Sequence, residues 1–154
     1  MFFGRIIEKI LKNKTGQDAI IEIDNILSKI FYNNPEKLSE PEMNVVLIEE
    51  LEREINNGGF NQYFFNSAGN YTVETINALK IIKSKVLSSI FQNAISRFPN
   101  GIVPINRFDR QKILLEIDKE IKLWTDLNNE YFKYEEDIYK LLLDYINIHI
   151  KDFR

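Results

Sequence analysis

With one histidine, His149, and no cysteine among its 154 residues, this chain has few routes to covalent or metal chemistry. Thiolate and three-histidine zinc sites are impossible with that inventory, and His149 with Asp152 makes only an i,i+3 pair. A hydrolase built on a nucleophile elbow would carry G-x-S-x-G, which does not occur. Carboxylates are the plentiful functional group, 23 Asp and Glu against 20 Lys and Arg. Any two of them can meet in space for acid–base hydrolysis, yet no spacing marks out such a pair. His149 lies near a helix C-terminus, where it complements the helix dipole. The reading is a non-enzymatic protein with no metal and no cofactor.

The carboxylates are spread unevenly. Residues 36–54 hold seven against two basic side chains, and residues 126–144 hold six against two. The first window nets −5 and the second −4, so the other 116 residues net +6 within an overall charge of −3. Such segregation steers a charged partner. On a helix, Glu42, Glu49 and Glu52 lie opposite Leu47, Leu51 and Ile55, which predicts that they face water. Glu50 and Glu54 sit four residues apart on its flank. Carboxylates at i,i+3 or i,i+4 are about 5–6 Å apart at Cβ. Phosphates along one DNA strand have a separation of that order, with an axial rise of about 3.4 Å. A row of such carboxylates therefore approximates a strand of phosphates. Glu130, Glu135, Glu136 and Asp137 extend the patch from the second window.

The plain alternative is a solvated helix face with an ordinary Glu49–Arg53 pair. Two basic clusters, Lys80 with Lys83 and Lys85, and Arg107 with Arg110 and Lys112, point instead to nucleic acid. A pI near 5.3 and the lack of a clear helix-turn-helix pattern argue against that contact.

Between two helical segments lies an aromatic and amide-rich stretch, Asn56-Asn57-Gly58-Gly59-Phe60-Asn61-Gln62-Tyr63-Phe64-Phe65-Asn66. The two glycines allow φ > 0, so a helix can stop and turn there. Phe60, Tyr63 and Phe64 recur at i, i+3 and i+4 and share one helical face, as core residues do. The amides of Asn56, Asn57, Gln62 and Asn66, with Asn61 and Asn70, could line a small-ligand pocket beside Tyr63 and Tyr71. Asn also caps helices and bonds local backbone. A structural role that fixes the crossing of the flanking helices is the preferred reading.

That stretch, from Glu54 through Asn66-Ser67, resembles a bacterial family of small helical proteins named after a DNA-mimic protein. The likeness runs from about Leu38 to Phe153 and takes in Arg97-Phe98-Pro99-Asn100-Gly101, Leu127-Asn128-Asn129-Glu130-Tyr131-Phe132 and Glu135-Glu136-Asp137. The resemblance implies an all-helical fold and a homodimer. It also implies acidic surface residues that imitate DNA phosphates on the DNA-binding face of a transcription factor. Two rival readings remain: an immunity or antitoxin-like protein that blocks a toxin or nuclease, and a small-ligand module built on the glycine turn.

The elements that must position these residues read as helices throughout. Ile6, Ile7, Ile10 and Leu11 mark a first helix broken at Thr15-Gly16, and Ile20, Ile23, Leu27, Ile30 and Phe31 mark a second that ends at Asn33-Asn34-Pro35. Ser39-Glu40-Pro41-Glu42 forms a capping box for the third, which buries Leu47, Ile48, Leu51 and Ile55 and runs to about Asn57. Thr72 caps the helix after the aromatic one, with a kink near Ser84. Ile113, Leu114, Ile117, Ile121 and Trp124 define the next helix, and Ile138, Leu141, Leu142, Tyr145 and Ile148 the last. The fold expected is an all-α, compact single-domain bundle of six to eight helices, with the helices of residues 1–34 packed on residues 38–153. Phe2, Phe3, Tyr131, Phe132 and Tyr134 supply an apolar surface for a homodimer or finish the core. The early charges at Arg5, Glu8 and Lys9 speak against a signal peptide, and no apolar run spans a membrane. The expected setting is the bacterial cytoplasm, with a basic protein (a DNA-binding protein or a toxin) as partner.

Overall fold

The computed structural model describes residues 2–154, with side chains from Gly4 onward. Among the described residues there are eight α-helices and no strand, in agreement with the all-α reading. They are α1 (Phe2–Asn13), α2 (Gly16–Asn33), α3 (Glu40–Phe65), α4 (Thr72–Ile81), α5 (Val86–Ser96), α6 (Arg107–Ile117), α7 (Thr125–Tyr131) and α8 (Ile138–Ile148). The chain gathers into two units, Met1–Glu49 with Asp137–Arg154, and Glu50–Glu136.

In the first unit α2 packs with α1 and α8. Its apolar stripe of Ile20, Ile23, Leu27 and Phe31 is buried, as are Ile7, Ile10, Val46, Ile48, Leu142 and Phe153. The capping box closes as expected: the Ser39 amide donates to Glu42 Oε2 at 2.7 Å, and the Glu42 amide reaches Ser39 Oγ at 3.4 Å. Asp137 caps α8 by accepting the Lys140 amide at 3.0 Å.

The second unit is built on aromatic rings. Phe64 lies 4.8 Å from Phe98 and 5.1 Å from Trp124 between centroids, and Phe91 meets Tyr63 at 5.3 Å and Phe60 at 6.2 Å. Such offset and edge contacts add to what area burial alone contributes. Phe60, Tyr63 and Phe64 are fully buried, so the helical spacing did identify core residues.

The third helix breaks where the sequence reading ends it, just after Asn57: Gly58 and Gly59 leave helical geometry, Gly59 with φ 75°, and the aromatic helix follows at once within the α3 span. One boundary differs from the sequence reading. Trp124 does not continue α6. Asp118 ends that helix because its Oδ1 accepts the amides of Lys122 and Leu123 at 2.7 and 2.8 Å, and Ile121 adopts φ 55°. Helical periodicity alone could not register a carboxylate that competes for backbone donors.

Candidate protein-binding surface

The helix expected to carry the acidic face is an interior helix. Every residue of α3 from Asn44 to Glu52 is buried. Glu42, Glu49, Glu50 and Glu52 are exposed by 1, 8, 7 and 5%, so the expectation that this row faces water is corrected. The apolar residues Val45, Val46, Leu47, Ile48 and Leu51 already occupy more than one side of this stretch. A two-faced reading of α3 therefore fails there.

Glu42, Glu50 and Glu52 each have an internal task that their contacts name. Glu42 closes the capping box with one oxygen and accepts the Arg154 amide with the other at 2.7 Å. Glu50 forms an ion pair with Arg53, one turn along the helix. Glu52 Oε1 accepts the Tyr131 hydroxyl at 3.1 Å. Burial first, and then the Glu52 carboxylate, push the Tyr131 phenol well above its ordinary pKa. Half-buried Glu54 gathers the amides of the glycine turn: its Oε2 accepts Gln62 Nε2 and Asn66 Nδ2, each at 2.9 Å.

Glu136 is drawn inward by a different device. Its carboxylate sits at the N-terminus of α5, where it accepts the Ser84 hydroxyl at 2.5 Å and the amides of Lys85, Val86 and Leu87 at 2.7, 3.0 and 3.2 Å. The first amides of a helix have no partner within it and carry partial positive charge. A residue about fifty positions away thus supplies the cap. Partial burial opposes ionisation, but the Ser84 hydroxyl and the three amides outweigh it and hold Glu136 below the usual glutamate pKa.

Glu130 and Glu135 remain from the proposed patch with exposed side chains that make no hydrogen bond or ion pair within the described residues. They line a groove of about 380 Å³ between the start of α5 and the end of α7, together with Lys85, Val86, Ile90 and Lys133. Asp137 is exposed as well, but its carboxylate is engaged as the cap of α8.

Burial also reverses the sign of the accessible charge. Six of the 23 carboxylates are buried (Asp24, Glu42, Glu49, Glu50, Glu52 and Asp118), along with one of the 20 basic side chains, Arg110. That leaves 17 acids and 19 bases within reach of solvent, although the formal net charge is −3. A uniformly acidic surface is absent from the described residues.

Arg110 is the residue that the sequence reading placed wrongly, in a surface cluster with Arg107 and Lys112. It is 0% exposed. All five guanidinium N–H groups are used: Nε donates to Phe64 O, Nη1 to Pro104 O and Ile105 O at 2.8 and 3.0 Å, and Nη2 to Asn66 O and Asn70 Oδ1 at 2.8 and 2.9 Å. Burial lowers its pKa, because the cation has neutral acceptors around it and no carboxylate. Gly69 leaves it room, since a Cβ there would stand 2.7 Å from Nε.

The rest of the motif is engaged in the same frame. Asn128 Oδ1 accepts the Phe60 amide at 3.0 Å, and a Cβ on Gly59 would lie 2.5 Å from Asn128 Nδ2. Asn56 bonds the Glu52 carbonyl and the hydroxyls of Tyr131 and Tyr134, Asn57 bonds Gln62, and Asn61 bonds Asp118 Oδ2 at 2.7 Å. The contacts of Asn128 with Phe60, of Asp118 with Asn61 and of Arg110 with Phe64 and Asn66 span more than forty residues, so no local pattern reveals them. Tyr131 is buried within the chain, whereas Phe132 and Tyr134 are exposed; the side chains of Phe2 and Phe3 lie outside the described residues. His149 Nδ1 stands 3.4 Å from Asp152 Oδ2, and no cluster of metal-ligand type occurs among the described residues. None of their helices is long and apolar enough to cross a membrane.

What these features define is an all-helical protein whose amide-rich glycine turn is fastened from within, and in which two exposed carboxylates, Glu130 and Glu135, border one groove. The profile described as DMP19-like protein matches residues 36–149, which covers the glycine turn, Arg110 and the groove. The chain belongs to the DMP19-like family, a family of DNA-mimic proteins. Among curated proteins and among solved structures, nothing matches.

Proposed function

We propose that this protein is a non-enzymatic binding module of the bacterial cytoplasm that engages a DNA-binding protein through local acidic contacts. The observation that carries this reading is the match to a DNA-mimic family across residues 36–149. We place those contacts at Glu130 and Glu135, a choice supported by their exposure. With α3 turned inward, Glu130 and Glu135 are the carboxylates of the predicted set that are exposed and unpaired. With 17 accessible acids among 19 bases, long-range attraction is weak and recognition depends on where individual charges stand. A homodimer is part of the same proposal, with exposed Phe132 and Tyr134 contributing to its interface.

The test is capture of partners from the native host by the tagged protein and its Glu130→Lys/Glu135→Lys variant, at low and high salt. A DNA-binding protein that is released by salt, lost in the variant and displaced by its own DNA site supports the proposal. A toxin or nuclease as the principal catch moves the reading to immunity, and capture unaffected by the two charge reversals removes the surface proposed. Sedimentation at two concentrations tests the dimer.

A further inference from the structure

The groove between α5 and α7 carries information about what kind of segment it accepts. Its floor is apolar, with Ile90 buried and Val86 half-buried, and its rim bears Glu130, Glu135, Lys85 and Lys133. None of these four charges stands within ion-pair distance of another. We infer that the groove holds one arginine or lysine side chain of the protein partner, flanked in that partner by acidic residues. This inference rests on the protein-binding function proposed above.

Charge and shape favour a cation in the groove itself. The strong anion receptor at this end, the N-terminus of α5, is already filled by Glu136, which takes three amides and the Ser84 hydroxyl. An incoming carboxylate finds none of those donors open. Glu130 lies in the last turn of α7, where the helix dipole also favours positive charge. A long basic side chain suits an apolar floor with carboxylates at its edge, because its aliphatic stem covers Val86 and Ile90 while its head reaches Glu130 and Glu135. The volume of about 380 Å³ admits one such side chain with its adjoining backbone rather than a folded element.

Lys85 and Lys133 then set specificity. A second cation beside the first would meet them, whereas an acidic neighbour would pair with them. The groove therefore selects an isolated basic residue over a polybasic tract, which distinguishes it from a continuous imitation of a phosphate strand.

Fluorescence anisotropy on the whole chain at low salt provides the test, with three short labelled peptides of equal length. The first carries one arginine between glutamates, the second has arginine between lysines, and the third replaces the arginine of the first by methionine. The first should bind at least about fivefold more tightly than either other, given two charge pairs of modest individual strength. Glu130→Gln/Glu135→Gln should abolish that advantage. Lys85→Gln/Lys133→Gln should raise affinity for the second peptide. Equal binding of the methionine peptide, tighter binding of the polybasic one, indifference to the glutamate changes, or no binding of any peptide overturns the inference. Salt-sensitive capture of a DNA-binding protein alongside such a result would leave the proposed function standing and remove only this groove's assignment.

Discussion

Replacing Arg110 by methionine tests whether one buried cation fastens the end of α3, with the segment to Asn70, to α6 and the residues before it. Methionine keeps an unbranched apolar stem but removes five donors from Phe64 O, Asn66 O, Pro104 O, Ile105 O and Asn70 Oδ1. Ile105 is exposed, and Pro104 and Asn70 are half-buried, so water can reach those acceptors. Asn66 is half-buried too, so the carbonyl of buried Phe64 is the acceptor that water reaches least, and a buried acceptor left unmade costs about 1–3 kcal/mol. Against this stands relief from desolvating a cation that has no carboxylate partner, the same burial that lowers its pKa. The balance is a destabilisation of about 1–3 kcal/mol, a sizeable part of the roughly 5–15 kcal/mol that holds a domain together. Trp124, the only tryptophan, is buried with its Nε1 donating to Ala94 O at 3.0 Å, so its fluorescence reports on this unit. At a urea slope near 2 kcal/mol/M, about 2 kcal/mol moves the midpoint down by about 1 M. A double-mutant cycle sharpens the test. Gly69→Ala places a Cβ 2.7 Å from Arg110 Nε and should cost stability in the wild-type background but much less beside Arg110→Met. A coupling of about 1 kcal/mol or more is expected for atoms in direct contact. A midpoint shift under about 0.3 M, with no coupling to position 69, would refute the argument that the guanidinium fastens the end of α3.

Three further outcomes follow from the geometry. Gly59→Ala combines φ 75° with a Cβ placed 2.5 Å from Asn128 Nδ2, so it should destabilise by about 2 kcal/mol in urea unfolding, and Gly58→Ala should not share the left-handed strain. Glu136 is held below its ordinary pKa of 4.5, so its contribution to stability is complete above that value and is lost as pH falls through the lower folded value; acid unfolding of Glu136→Gln should lack this component and start from a lower stability at neutral pH. Burial raises the Tyr63 phenol to about 12, against smaller opposing effects of the Thr75 and Thr72 hydroxyls and of Arg110. Ultraviolet titration of the folded protein should therefore find Tyr63 protonated at pH 10.5, and ionisation there with the ordinary tyrosines would count against its buried placement.

The sequence alone determined the helical class, most helix ends and the aromatic core, because those depend on local period and local caps. Ser39 and Glu42 are three residues apart, and Phe60, Tyr63 and Phe64 share a helical face wherever that helix lies. Gly58-Gly59 announced the break for the same reason, through backbone freedom that belongs to the residues themselves. Tertiary structure decided which charges reach water. The sequence of α3 carries the same glutamates whether the helix is a surface element or an interior one, and only its burial from Asn44 to Glu52 withdrew that acidic row. Glu136 passed from surface charge to helix cap because the open amides of α5 lie about fifty residues away, and Arg110 passed from a basic cluster to an interior clamp through carbonyls some forty residues before it. A charge is a property of one residue, but its desolvation and its partners are properties of the assembled chain.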